Sequence, residues 1–200
     1  MREAFMALIL ATLGVLPARA QVAEREGAWV GAGLGPGWAG ATCDACTGAG
    51  RQSSWSGYLR GGATVAPRTK LAVELDGWVH TPEGADQVEG GANERILLLG
   101  AAVLGYPIRQ QGLFLKLGLG VSQYRSRVGS SVLKTTGVAP SVGMGYDAGL
   151  GRDLYITPFV QYFRSIVGDE VTVDGHGTDF AFHPNLIQAG VGLTWRKSAR

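Results

Sequence analysis

The chain has 200 residues, a formal net charge of +2 and 32 glycines. The length suits one domain, and so small a charge gives no case for a nucleic-acid partner. The glycines are neither strictly periodic, as in collagen, nor gathered into a linker.

The first segment reads as an export signal. Arg2 precedes an apolar run from Phe5 to Leu16, Pro17 breaks it, and Ala18 and Ala20 supply small residues at a cleavage site. The run is shorter than the roughly 20 residues that a membrane-spanning helix needs. Residues 1–20 are therefore expected to be a signal peptide and residues 21–200 a single barrel domain.

Eight alternating segments follow, each with the period of two that marks a strand. In the first, about 28–38, Val30, Ala32 and Leu34 alternate with glycines. The second, about 54–66, sets Trp55, Leu59, Ala63 and Val65 against Ser56, Tyr58, Arg60 and Thr64. In the third, about 71–80, Leu71, Val73, Leu75 and Val79 alternate with Ala72, Glu74 and Asp76. The fourth, about 95–106, contains Ile96-Leu97-Leu98-Leu99 and cannot be assigned faces by alternation. The fifth, about 113–124, opposes Leu113, Leu115, Leu117, Leu119 and Val121 to Phe114, Lys116, Gly118, Gly120 and Ser122. The sixth, about 138–150, opposes Val142, Met144 and Tyr146 to Ser141, Gly143, Gly145 and Asp147. In the seventh, about 154–163, Pro158 lacks a ladder donor and predicts a bulge. The eighth, about 186–196, places Ala189, Val191, Leu193 and Trp195 on one face and Gln188, Gly190, Gly192 and Thr194 on the other.

Short connections near 66–70, 107–111 and 151–153 alternate with long polar ones near 39–53, 82–94, 125–137 and 164–185. Transmembrane barrels show this asymmetry, with short periplasmic turns and longer outer loops. The faces favour a membrane barrel over a soluble lipocalin-like carrier, which needs an apolar inner wall. Here the less apolar face carries Arg60, Glu74, Asp76, Lys116, Asp147, Gln161 and Gln188. Facing hydrocarbon, Arg or Lys would each cost on the order of 2–4 kcal/mol near the midplane. Trp38, Trp55, Tyr106, Tyr146, Tyr162 and Trp195 fall towards strand ends on the other face, where an interfacial girdle belongs. The fold class is therefore all-β, an eight-stranded antiparallel up-and-down transmembrane β-barrel. Its narrow interior is expected to be filled by side chains, with Arg60 and Lys116 pairing with Glu74, Asp76 and Asp147 in a central network.

The strand pattern, the segment Arg68 to Leu75 after a short turn and the last strand resemble the outer-membrane β-barrel domain family, which includes OmpA-type transmembrane domains and OmpX-like proteins. The resemblance runs from about Gly27 to Trp195. It implies a cell-envelope protein of the outer membrane of a Gram-negative-type bacterium. The last strand also resembles the signal read by the barrel-assembly machinery, with Gln188 at the polar position, Gly190 at the glycine, and Leu193 and Trp195 at the two apolar positions.

Few residues point to chemistry. Cys43 and Cys46 form C-x-x-C in the first long connection, and an oxidising compartment makes a disulfide their default reading. His176 and His183 share the last long connection with Asp169, Glu170, Asp174 and Asp179, but no serine nucleophile lies between Gly168 and Leu193. The acidic residues suit a solvated loop. No catalytic, cofactor or metal residue is expected. The reading is a non-enzymatic, monomeric outer-membrane protein with a plugged polar lumen. Its partners would be membrane lipid, the assembly machinery and an unidentified extracellular ligand, in an adhesion-type or structural role. The alternatives are a lipid-modifying membrane enzyme and a soluble periplasmic carrier.

Overall fold

The computed structural model describes residues 27–43, 51–81, 93–108 and 111–197, with the side chains at 43, 167–170 and 178–181 left aside. Ten strand segments occur in chain order: β1 (Ala28–Cys43), β2 (Gln52–Ala66), β3 (Thr69–His80), β4 (Asn93–Gly105), β5 (Leu113–Val128), β6 (Ser131–Tyr146), β7 (Ala148–Gly149), β8 (Leu154–Arg164), β9 (Val167–Val173) and β10 (His176–Arg196). Neighbours pair antiparallel in sequence order, β6 pairs β8, β8 pairs β10, and β10 returns to β1. The short β7 continues β6 and β9 continues β8, so the closed barrel has eight antiparallel strands. Closure satisfies every sheet edge, which hydrocarbon requires because it offers no competing hydrogen bonds.

Alternation sets the two faces. Large apolar side chains on the outer face stand exposed all round the wall, among them Leu34, Leu59, Val73, Leu99, Leu117, Leu119, Val142 and Leu193. Charged and polar residues on the inner face are buried, among them Arg60, Lys70, Glu74, Asp76, Lys116, Asp147 and Gln161. A soluble carrier would need the reverse. The fourth strand, unreadable by alternation, is apolar on both faces: Ile96, Leu98, Ala102 and Leu104 are buried inside while Leu97, Leu99 and Val103 face out.

The structure corrects several expectations. The connection near 125–137 is a hairpin, because β5 runs to Val128 and β6 begins at Ser131. Gly129 (φ 58°) stands first in its two-residue turn, the position that favours a positive φ in a type II′ turn. The connection near 164–185 is also largely strand. β9 turns through Asp174 (φ 51°) and Gly175 (φ 85°) into β10, the Asp-Gly pairing that a type I′ turn demands. β9 pairs with both β6 and β10, so this side of the barrel extends as a wall beyond the long-connection end. No bulge accompanies Pro158, which pairs in register with Val191. On its other side the ladder resumes unshifted after Gly145–Phe159 at Ala148–Ile156. The strand absorbs the missing donor by omitting ladder bonds. Tyr106, expected in the outer girdle, is buried inside.

Candidate functional site

The lumen is filled in three layers. Towards the short-turn end, Trp29, Ala72, Ala102, Leu104, Tyr106 and Phe114 form an apolar cluster. Towards the long-connection end, Ala39, Trp78, Ile96, Leu98, Tyr124, Ala139, Phe163 and Leu186 form another, with Leu133 and Phe182 against it. The inner wall is thus less uniformly polar than the sequence suggested.

Between them sits a charged layer. The register sets Arg60 on β2 opposite Glu74 on β3, and Arg60 Nε lies 3.5 Å from the Glu74 carboxylate. From β5, Lys116 Nζ donates to both Glu74 oxygens at 2.7 and 2.8 Å. Gln161 on β8 joins the cluster through its side-chain oxygen, which accepts from Arg60 and from Lys116, each at 2.9 Å. Its amide nitrogen donates to Asp76 and to the side-chain oxygen of Gln188 on β10. Ser141 on β6 donates to Glu74 at 3.3 Å, and Gln188 donates to the Gly77 carbonyl at 3.2 Å. The Arg60 guanidinium also stacks 4.0 Å from the centre of the Tyr58 ring. Two cations therefore face two carboxylates, with an amide hub between them. That balance offsets the cost of burying these charges.

Asp147, grouped on sequence grounds with Arg60 and Lys116, is bound by a separate cluster nearer the short-turn end. Lys70 Nζ lies 3.2 Å from it, Tyr106 donates its hydroxyl at 2.8 Å and Thr157 at 3.0 Å. Lys70 also faces the rings of Trp29 and Tyr106, at 5.0 and 4.9 Å from their centres. Sequence reasoning missed Lys70 because the short connection was expected to run to residue 70, whereas β3 already begins at Thr69. The place of Lys70 in the period of Ala72, Glu74 and Asp76 was the available signal. Gln161 was placed on the inner face, but its role as the hub had no signature.

In the last strand, Gln188 and Gly190 belong to the inner face while Leu193 and Trp195 are exposed outside. Gly35 and Gly190 meet where β1 and β10 close, so tightly that a Cβ on either would strike the opposite backbone. Cys46 lies outside the described residues, as does the Cys43 side chain, and with them the candidate disulfide. His176 is exposed and His183 half-buried. Among the described residues no group of His, Cys, Asp or Glu could hold a metal ion.

A closed eight-stranded sheet, an apolar outer belt and a polar, side-chain-filled interior define a small transmembrane β-barrel of the outer-membrane type. No family model and no curated protein matches the sequence. Solved structures do match. Neisserial surface protein A aligns with 86% of this chain and 100% of its own at TM-score 0.54 and 15% identity. Ail, the attachment invasion locus protein of Yersinia pestis, in complex with the heparin analogue sucrose octasulfate, aligns with 84% of this chain and 99% of its own at TM-score 0.51 and 10% identity. A major outer membrane protein of Thermus thermophilus aligns with 85% of this chain and 98% of its own at TM-score 0.50 and 11% identity. These similarities agree in fold with the small eight-stranded, OmpA- and OmpX-like outer-membrane barrels.

Proposed function

We propose that this chain is a monomeric, non-enzymatic protein of a bacterial outer membrane. Its lumen is closed to solutes, and it acts by presenting its outer end to an extracellular partner. The observation that carries this reading is the charged layer. Side chains from β2, β3, β5, β6, β8 and β10 meet across the barrel, and apolar clusters cap them on both sides. A hydrated path would have to break buried ion pairs, which is strongly unfavourable. Residues 1–20 serve as the export signal in this reading. Gln188, Gly190, Leu193 and Trp195 serve as the address for the assembly machinery, and lipid covers the apolar belt. Cys43 and Cys46 form a disulfide in the first outer connection. That Ail, a barrel of the same fold, is seen with a heparin analogue is a precedent for ligand binding by such a protein.

The test has two parts. The protein should fractionate with the outer membrane, and its unboiled form should migrate differently from its boiled form on a detergent gel. Reconstituted liposomes should then resist osmotic swelling in small sugars. Swelling as fast as with an open porin would overturn the closed lumen. A change in lipid A mass on expression of the protein would overturn the non-enzymatic reading.

A further inference from the structure

The outer rim of the belt is chemically two-sided. On β1 and β2 the outward residues at this rim are Trp38 and Trp55, and on β3 it is Val79. On the next strands the rim turns cationic. The register sets Arg95 on β4 directly across from Arg125 on β5, and Arg125 across from Lys134 on β6. All three lie on the outward-facing period of their strands. Arg95 stands two positions before Leu97 and Lys134 four before Val138, and Arg125 stands four after Val121 on β5, which runs the opposite way between them.

Adjacent strands lie about 4.8 Å apart, and like charges directly opposite one another destabilise a sheet. Here three cations stand side by side, and among the described side chains no carboxylate pairs with any of them; the ion pairs found there lie in the lumen. The adjacent acid, Glu94, belongs to the lumen-facing period and interacts with Tyr124. A row of this kind offers a site for an anion. Its place narrows the choice. The side chains project sideways from the wall, just past the apolar belt, so they enter the layer where lipid phosphates lie.

We propose that Arg95, Arg125 and Lys134 form a binding strip for the phosphate groups of outer-leaflet lipid, fixing one side of the barrel against a phosphorylated headgroup. The strip rests on the outer-membrane reading above and deepens it. Arginine suits this role because its planar fork bridges two phosphate oxygens.

The experiment uses the full barrel in phosphatidylcholine nanodiscs doped with bisphosphorylated lipid A or with the same lipid A after phosphatase treatment. Lipid retained per barrel is read by native mass spectrometry. Wild-type protein should retain the phosphorylated form preferentially. The triple variant Arg95→Gln, Arg125→Gln, Lys134→Gln should lose at least about tenfold in retention, since each cation near an anionic surface contributes on the order of fivefold. Equal retention of the two lipids by wild type, or unchanged retention by the variant, overturns the strip. So does binding of soluble heparin through these residues without preference for phosphorylated lipid, which would assign the row to a sulfated polysaccharide. If the variant does not fold, the wild-type comparison of the two lipids decides alone. Failure here leaves the gel shift and membrane fractionation intact, whereas failure of the outer-membrane reading removes both.

Discussion

Glu74 is the residue on which the lumen depends most. It holds Lys116 through both oxygens, lies 3.5 Å from Arg60 and accepts from Ser141, all buried. Replacing it with alanine leaves Asp76 alone to face two buried cations, and breaking a buried pair in this way costs about 3–5 kcal/mol. Glu74→Ala should lower the free energy of unfolding by that amount, measured by urea titration of the barrel in lipid vesicles. Arg60→Ala should also destabilise, by less, because Lys116 remains to neutralise Glu74. Unchanged stability of both variants would mean that the charged layer is incidental to the fold. The sequence marked Arg60, Glu74, Asp76 and Lys116 for the inner face because each stands at an even step from small or polar neighbours. It could not assign Asp147 to Lys70, because which inner residues meet depends on barrel stagger, a long-range quantity that local spacing does not carry.

At the scale of the strand, legibility tracks how different the two faces are. β5 alternates leucine with small, polar or charged residues over most of its length and reads directly. β4 does not, because its inner face enters the apolar layers, so Ile96 and Leu98 match Leu97 and Leu99 in character. The β5–β6 and β9–β10 hairpins had local signals in Gly129-Ser130 and Asp174-Gly175, but the polar residues around them read as loop. Closure of β1 onto β10 turns on Gly190. A valine there would strike the Leu34 carbonyl, so Gly190→Val should prevent the barrel from closing. Refolding into detergent micelles without any assembly machinery separates this effect from a role in targeting. The variant should show no heat-shifted band in that assay, whereas Gly149→Val, whose Cβ would meet only ordinary van der Waals neighbours, should fold. Normal refolding of Gly190→Val would confine the glycine's importance to recognition by the machinery.

For the whole molecule, the deciding quantity is which solvent the outer wall meets. Exposed Leu34, Leu71, Leu99, Leu117, Val142, Val160 and Leu193 surround the barrel on every side, far more apolar surface than a soluble monomer presents in one contiguous region. The same residues cost nothing against hydrocarbon, while the ions are held inside. This inversion predicts how a charge behaves on either side of the wall. Leu117 is 66% exposed at the centre of the apolar outward run from Leu113 to Val121 on β5, and its neighbour Lys116 is 2% exposed in the lumen. Leu117→Arg should destabilise the barrel by about 2–4 kcal/mol in a bilayer, the cost of arginine at the midplane. In a soluble barrel the same change would fall on a wet surface and alter stability by no more than about 0.5 kcal/mol. Reversible unfolding from lipid vesicles measures the difference. A near-zero effect at Leu117 would place that position outside the hydrocarbon. Repeating the substitution at Val138, close to the outer rim, should then give a smaller penalty than at Leu117, because the arginine can reach the headgroups from there.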